Sequence, residues 1–368
     1  MEAFSQTRSS DRQPVAAGRF YSADKETLMK DISELFESCV KTSSRSGVVR
    51  AVISPHAGYV YSGKVAASAF SAIDRNTSYK NIFLIGSSHV MAFEGASVYS
   101  AGDFVTPLGK VTVNREIANT LKAEKLFSFP VNAHFQEHSL EVQLPLIQYY
   151  FRNNPQIVPI IIATNNANNI KKIAAILRPW FTTKNLFVIS SDFSHYPSYK
   201  TANEVDNATA DAIISGDPGK FLDVLEKNSG ANHPGLATSM CGWTSGLLLL
   251  YLAEGSGNLE FKKIDYCNSG DSRYGSKDEV VGYNAIALFG KDSGSIIPKN
   301  LEDEITFTEK EKEQLISIAR GNIKSLLYDR KKITVNKEIL PAVFMEPLGA
   351  FVTLKINGSL RGCIGRFV

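Results

Sequence analysis

Residues 48–63 read VVRAVISPHAGYVYSG. An apolar, β-branched run, Val48–Ser54, passes directly into Pro55, His56 and a glycine-bearing turn. Lys64–Ile73 then sets Val65, Ala66, Ala69, Phe70 and Ile73 on one helical face. A strand without polar alternation is buried on both sides, as in a parallel sheet covered by helices. The pattern recurs along the chain. Asn81–Gly86, Ile157–Ala163 and Leu186–Ser190 read as strands, and Leu140–Tyr150, Ile170–Trp180, Asn203–Ile214 and Met240–Ala253 as helices. Phe261–Tyr266 and Val280–Leu288 read as two later strands separated by a Gly/Ser/Asp loop, Asn268–Lys277. The expected fold is α/β, a three-layer α/β/α domain with a mostly parallel central sheet over residues 12–290.

Beyond it, residues 291–304 begin KDSGSIIPKN and have the composition of a linker. Residues 305–368 read as a second, partial α+β unit. A helix over Thr308–Tyr328 opens with Thr308 as N-cap and Glu311 three residues on. Ala350–Ile356 alternates as a strand, and Asn357-Gly358 is a hairpin turn. A helix and one hairpin make a poor core alone, so the unit reads as incomplete. It carries 11 Lys/Arg against 6 Asp/Glu, whereas the whole chain is only +3.

That small net charge gives no reason to expect a nucleic-acid partner. The longest apolar stretch, Leu247–Ala253, is far short of the ~20 residues needed to span a bilayer, so no membrane association is expected. The first residues, MEAFSQTRSSDRQPV, lack the apolar core of a secretory signal. The four cysteines, Cys39, Cys241, Cys267 and Cys363, form no CxxC pair. A reducing, cytoplasmic location is the expectation.

Three strand candidates end in a polar stretch bearing a histidine: His56 in ISPHAG, His89 in NIFLIGSSHV, and Asp192 with His195 in LFVISSDFSHY. In open α/β sheets ligands gather outside the carboxyl ends of the strands, so parallel strands would bring these residues to one rim. Neutral imidazole is the commonest protein metal ligand. Two histidines are too few for a tight site, and a third ligand could come from Asp192, Glu141 or Cys241. Cys241, in SMCGWTSG, sits at a helix start, where a thiol is more readily deprotonated; the plainer reading is a small buried hydrophobe. In HFQEHSLEVQLP, His138 and Glu141 are three apart, neighbours on a helical face. They read either as an acid/base unit or as a surface ion pair beside a capped helix start. HExxH, GxSxG and the phosphate-loop Lys-Ser/Thr pair are absent.

ISPHAGYVYSG, GSSHV, EHSLEVQLPL, SSDFSHY and the Cys241 segment, in this order, resemble the Memo family and its prokaryotic relatives. That resemblance implies a fold similar to the class III extradiol dioxygenases. It also implies metal ligation by His56 and His89, with Cys241 where the dioxygenases have a carboxylate, and His195 as the acid/base beside the metal. A two-histidine, one-carboxylate face suits iron(II), whereas thiolate shifts preference toward softer ions such as copper or zinc. The resemblance implies iron(II) or copper as the cofactor, with zinc also compatible. LRGCIG (Leu360–Gly365) resembles the AMMECR-type signature, and the fusion resembles the AmmeMemoRadiSam arrangement, which implies a radical-SAM protein partner.

The leading expectation is a metal-dependent, dioxygenase-like oxidoreductase. Its metal residues would be His56, His89 and Cys241; its catalytic residues His195, Asp192, His138 and Glu141, the last three orienting groups or carrying protons. Two alternatives stand beside it. One is a metal-free hydrolase or transferase with Cys241 as nucleophile and His195 as base. The other is a non-catalytic adaptor whose cleft binds a peptide or protein partner, whereas the cleft of an enzyme would take a small-molecule or peptide ligand.

Overall fold

The computed structural model describes residues 11–42, 47–127, 130–290, 308–331, 333, 340, 350–356 and 359–366. The chain forms two compact units, Met1–Gly294 and Ser295–Val368. In the first, β1 (Val49–Ser54), β2 (Asn81–Ser87) and β3 (Ala96–Val98) are followed by a small ribbon of β4 (Phe104–Thr106) and β5 (Gly109–Val111). Later come β6 (Gln156–Ile162), β7 (Asn185–Ser190), β8 (Leu259–Asn268) and β9 (Gly282–Gly290). Seven of these make one sheet in the order β3-β6-β2-β7-β1-β9-β8. The four central strands, β6, β2, β7 and β1, are parallel; β3, β9 and β8 run antiparallel to their neighbours.

Every residue of β2 and β7 is buried. Ile82, Phe83, Leu84 and Ile85 are wholly inaccessible, each removal from water contributing ~1.5–3 kcal/mol. Helices flank the sheet. α2 (Tyr59–Ser71) packs on β1, β8 and β9, and α1 (Lys25–Ser38) and α4 (Leu144–Tyr150) pack on α2. α5 (Ala167–Leu177) and α7 (Pro218–Gly230) pack on α8 (Trp243–Ala253), which lies against β2 and β7. α3 (Arg115–Lys122) lies by β3 and β6, and α6 (Tyr199–Ile214) by β8 and β9.

The sequence pattern gave no sign of α1, α3 or α7. In α1 only Leu28, Ile32 and Phe36 are buried, a stripe one residue wide on a charged helix. Its start is set by Asp24, whose side chain accepts from Thr27 N–H. The expected helix Leu140–Tyr150 is shorter, because Glu141–Gln143 forms a 3₁₀ turn and α4 begins at Leu144 with Pro145 in its first turn.

In the second unit, α9 (Glu309–Tyr328) opens with the reciprocal Thr308–Glu311 capping box. β10 (Ala350–Ile356) and β11 (Ser359–Arg366) pair antiparallel. The linker 291–304 and the turn residues 357–358 lie outside the described residues. No helix among the described residues is long and apolar enough to cross a membrane.

Candidate functional site

β1, β2 and β7 are adjacent and parallel, so their carboxyl ends open onto one rim. Each ends in a serine, and two residues further on stand His56, His89 and Asp192. Cys241 joins them from the turn before α8, its N–H donated to the Asp192 carbonyl at 3.2 Å. One ligand atom from each of His56, His89 and Cys241 lies within 4.8 Å of the other two. Cys241 Sγ is 3.4 Å from His56 Nε2. A Cβ on Gly242 would fall 2.7 Å from Ser191 Cβ. The missing side chain therefore lets the Cys241 turn close onto the end of β7.

The hydrogen bonds around the two imidazoles fix which nitrogen faces the cluster. Ser190 Oγ donates to the Ser139 carbonyl at 2.6 Å and accepts from Gln143 Nε2 at 2.9 Å. A hydroxyl has one proton to give. Its contact with His56 Nδ1, at 3.0 Å, is therefore an N–H donated by the imidazole. His56 Nε2 is left with a free lone pair toward Cys241. His89 Nδ1 donates to Glu137 Oε1 at 3.0 Å, while His89 N–H donates to Glu137 Oε2 at 2.7 Å. Its Nε2 likewise faces inward. Carboxylates and hydroxyls in these positions are what orient ligating histidines.

Gly86 makes the Glu137 contact accessible. A side chain there would meet Ser139 Oγ at 2.7 Å, whereas glycine lets the 137–140 segment lie against the end of β2. Burial alone would raise the Glu137 carboxyl; the hydrogen bond and charge of His89, with two backbone N–H donors, overcome it and hold the group at about 2. Burial alone would lower His89; hydrogen bonds to Cys241 and Glu137 and their charges push it up to about 10. His56 is driven the other way, well below its usual range, by burial and then by the charges of His89, His138 and His195.

His195 and His138 complete the cluster. Burial, then the charge of His89, lowers His195 to about 4. Its Nε2 is buried and makes no hydrogen bond among the described residues. Its backbone is bridged to Thr238 and Val281. The His138 ring stands 4.9 Å from His89 and 5.3 Å from His56, and Phe20 covers it at 4.7 Å. Asp192 Oδ1 accepts from His56 N–H and Ala57 N–H at 2.7 and 3.2 Å, pinning the turn that carries His56. Burial raises its carboxyl to about 7 against those two bonds.

Glu141 is placed otherwise than expected. Its carboxylate accepts from Val15 N–H, Ala16 N–H, the Tyr21 hydroxyl and the Arg12 guanidinium. It is a buried anchor for the N-terminal segment. The i,i+3 pairing with His138 fails because His138 precedes the 3₁₀ turn and is not on a helix. The carboxylate–histidine unit is instead Glu137 with His89. Sequence reasoning passed over Glu137, Ser190 and Gln143; only the adjacency of Glu137 to His138 hinted at any of them.

A family profile described as Memo-like protein matches residues 12–287, and one described as AMMECR1 matches residues 316–368. A MEMO1 family protein of Methanosarcina barkeri is 32% identical over 281 residues, 75% of this chain and 99% of its own length. One of Thermoplasma volcanium is 32% identical over 276 residues, covering 75% and 97%. One of Caldivirga maquilingensis is 30% identical over 289 residues, covering 76% and 99%. Among solved structures, the uncharacterized protein JW3007 of Escherichia coli K12 overlaps 65% of this chain and 99% of its own, at 12% identity and a TM-score of 0.40. The site-bearing unit spans nearly the full length of these curated relatives, and the chain belongs to the Memo-like family.

Proposed function

We propose that His56, His89 and Cys241 hold one metal ion, and that the chain is a metal-dependent redox protein of the dioxygenase-like kind. One observation carries this reading: both imidazoles spend Nδ1 on outward acceptors, so two Nε2 atoms and a sulfur converge. The donor set fits iron(II) or copper, and the sulfur also suits zinc. A bound iron or copper ion would supply redox chemistry at an open coordination position. The cluster meets solvent on the His89 side, whose side chain is 27% exposed.

The protein's own groups would then bind and move protons. His195, kept neutral by burial, offers its unpartnered Nε2 as a base for a substrate hydroxyl. His138 sits between Phe20 and the two ligating rings, placed to orient the substrate. Asp192 holds the His56 turn rather than meeting the ligand directly.

Metal content after anaerobic purification tests the proposal. His56→Ala, His89→Ala and Cys241→Ala should each strip the ion; equal retention in all three would overturn it. The 3.4 Å contact between Cys241 Sγ and His56 Nε2 favours a second reading, a thiol–imidazole pair for nucleophilic chemistry. Full activity toward a substrate in the presence of a chelator would select that reading.

A further inference from the structure

Residues 12–21 run along the site and are latched there by Glu141 through Arg12, Val15, Ala16 and Tyr21. Within this segment Gly18, at φ 77°, adopts a left-handed turn and donates its N–H to the Tyr21 carbonyl. The Phe20 carbonyl accepts from Tyr59 N–H at 2.8 Å, tying the turn to the start of α2. The turn lays Phe20 on the His138 ring, with centroids 4.7 Å apart. It also brings the Arg19 guanidinium to 5.9 Å from the Phe20 centroid. Its positive charge is felt at His138.

Arg19 is exposed and enters no ion pair among the described residues. The two carboxylates of this part of the site are committed elsewhere, Glu137 to His89 and Glu141 to the N-terminal segment. Both are buried. A fixed turn thus presents an unneutralised guanidinium one aromatic ring away from His138, itself beside His56 and His89. Such a group offers paired N–H donors matched to an oxyanion.

We propose that Arg19 docks an anionic substituent, a carboxylate or a phosphate, of a small molecule whose other end reaches the His56–His89–Cys241 cluster. The inference rests on the proposed site for the location of that other end, but not on a metal being bound there.

The test therefore uses the full chain in chelator. Benzoate, phenyl phosphate and the neutral isostere benzamide are titrated by calorimetry, and the ring signals of ¹⁵N-labelled histidine are followed by NMR. At least one of the two anions should bind, shift the His138 signals and exceed benzamide by about tenfold, the worth of a charge-assisted hydrogen bond. The preference should shrink with added salt. Arg19→Gln should abolish it and Arg19→Lys should retain part of it. The tighter of the two anions identifies the substituent. Equal binding of anion and amide, an undiminished preference in Arg19→Gln, or unmoved His138 signals would overturn the proposal. Retention of metal in the ligand variants would sink the metal reading and leave this result standing, so the two failures are distinguishable.

Discussion

Ser190→Ala removes a hydroxyl that touches no ligand atom of the cluster, yet it should weaken metal binding. Ser190 Oγ accepts from the His56 Nδ1–H at 3.0 Å and from Gln143 Nε2 at 2.9 Å, and donates to the Ser139 carbonyl at 2.6 Å. Gln143 Nε2 keeps the Pro55 carbonyl at 2.9 Å. The His56 N–H and the Ser139 carbonyl lose this partner, in a place where His56 is only 2% exposed. Each buried orphan costs ~1–3 kcal/mol. The cheapest relief for His56 is to move its proton from Nδ1 to Nε2. That exchanges an unpaired N–H for a bare ring nitrogen, lets the new Nε2–H point at Cys241 Sγ, and fills the lone pair meant for the metal. The expected outcome is a loss of ~1–3 kcal/mol in unfolding free energy for the carbonyl that stays unpaired. The metal dissociation constant should rise ~10–100-fold, the usual effect of removing a group that orients a ligand. Urea denaturation of the metal-free protein and anaerobic competition with a fluorescent chelator read the two quantities. Ser87→Ala is the control. Ser87 also ends a central strand, but its hydroxyl bonds Thr244 and Ser245 of α8, so metal affinity should stay as in the parent. Parent-like affinity in Ser190→Ala would refute the assignment of His56 Nε2 as the metal-facing atom.

Proton release on metal capture should be measurable. The metal-free His89 carries a proton that is lost only near pH 10. An ion taking Nε2 must displace it, so affinity should climb about tenfold per pH unit through neutrality and level off above that value. Calorimetry in two buffers of different ionisation heat counts the protons, and a count of zero would exclude His89 as a ligand. Glu141→Ala should cost ~3–5 kcal/mol of stability, since it strands the buried Arg12 charge. Metal stoichiometry at a temperature where the variant is folded should stay unchanged, and loss of metal from a folded Glu141→Ala would return Glu141 to the site.

The fold was legible where burial is two-sided. β1, β2 and β7 are nearly or wholly inaccessible along their length, so their sequences carry no polar alternation, and a plain apolar run marks them. Their parallel order follows from the helices that must connect them. α1 was not legible because its buried face is three residues of fourteen. α7 was hidden in the same way, with only Pro218, Phe221 and Asn228 buried.

The same division explains the site. His56 and His89 announce themselves because each follows a recognisable strand by two residues, so a local pattern places them on the rim. The groups that aim them leave no local trace. The Glu137–His89 bond joins residues 48 apart, and the Ser190–His56 contact residues 134 apart. Glu141 lies four residues from Glu137, yet answers to Ala16, 125 positions away. Spacing alone favoured Glu141, because i,i+3 counts as neighbouring only on a helix, and here the helix begins after the histidine. The choice between two nearby glutamates is likewise made at long range. The missing side chain of Gly86 leaves room for Ser139 and Leu140 against the end of β2, next to Glu137, which bonds His89, while Glu141 turns to the N-terminal segment.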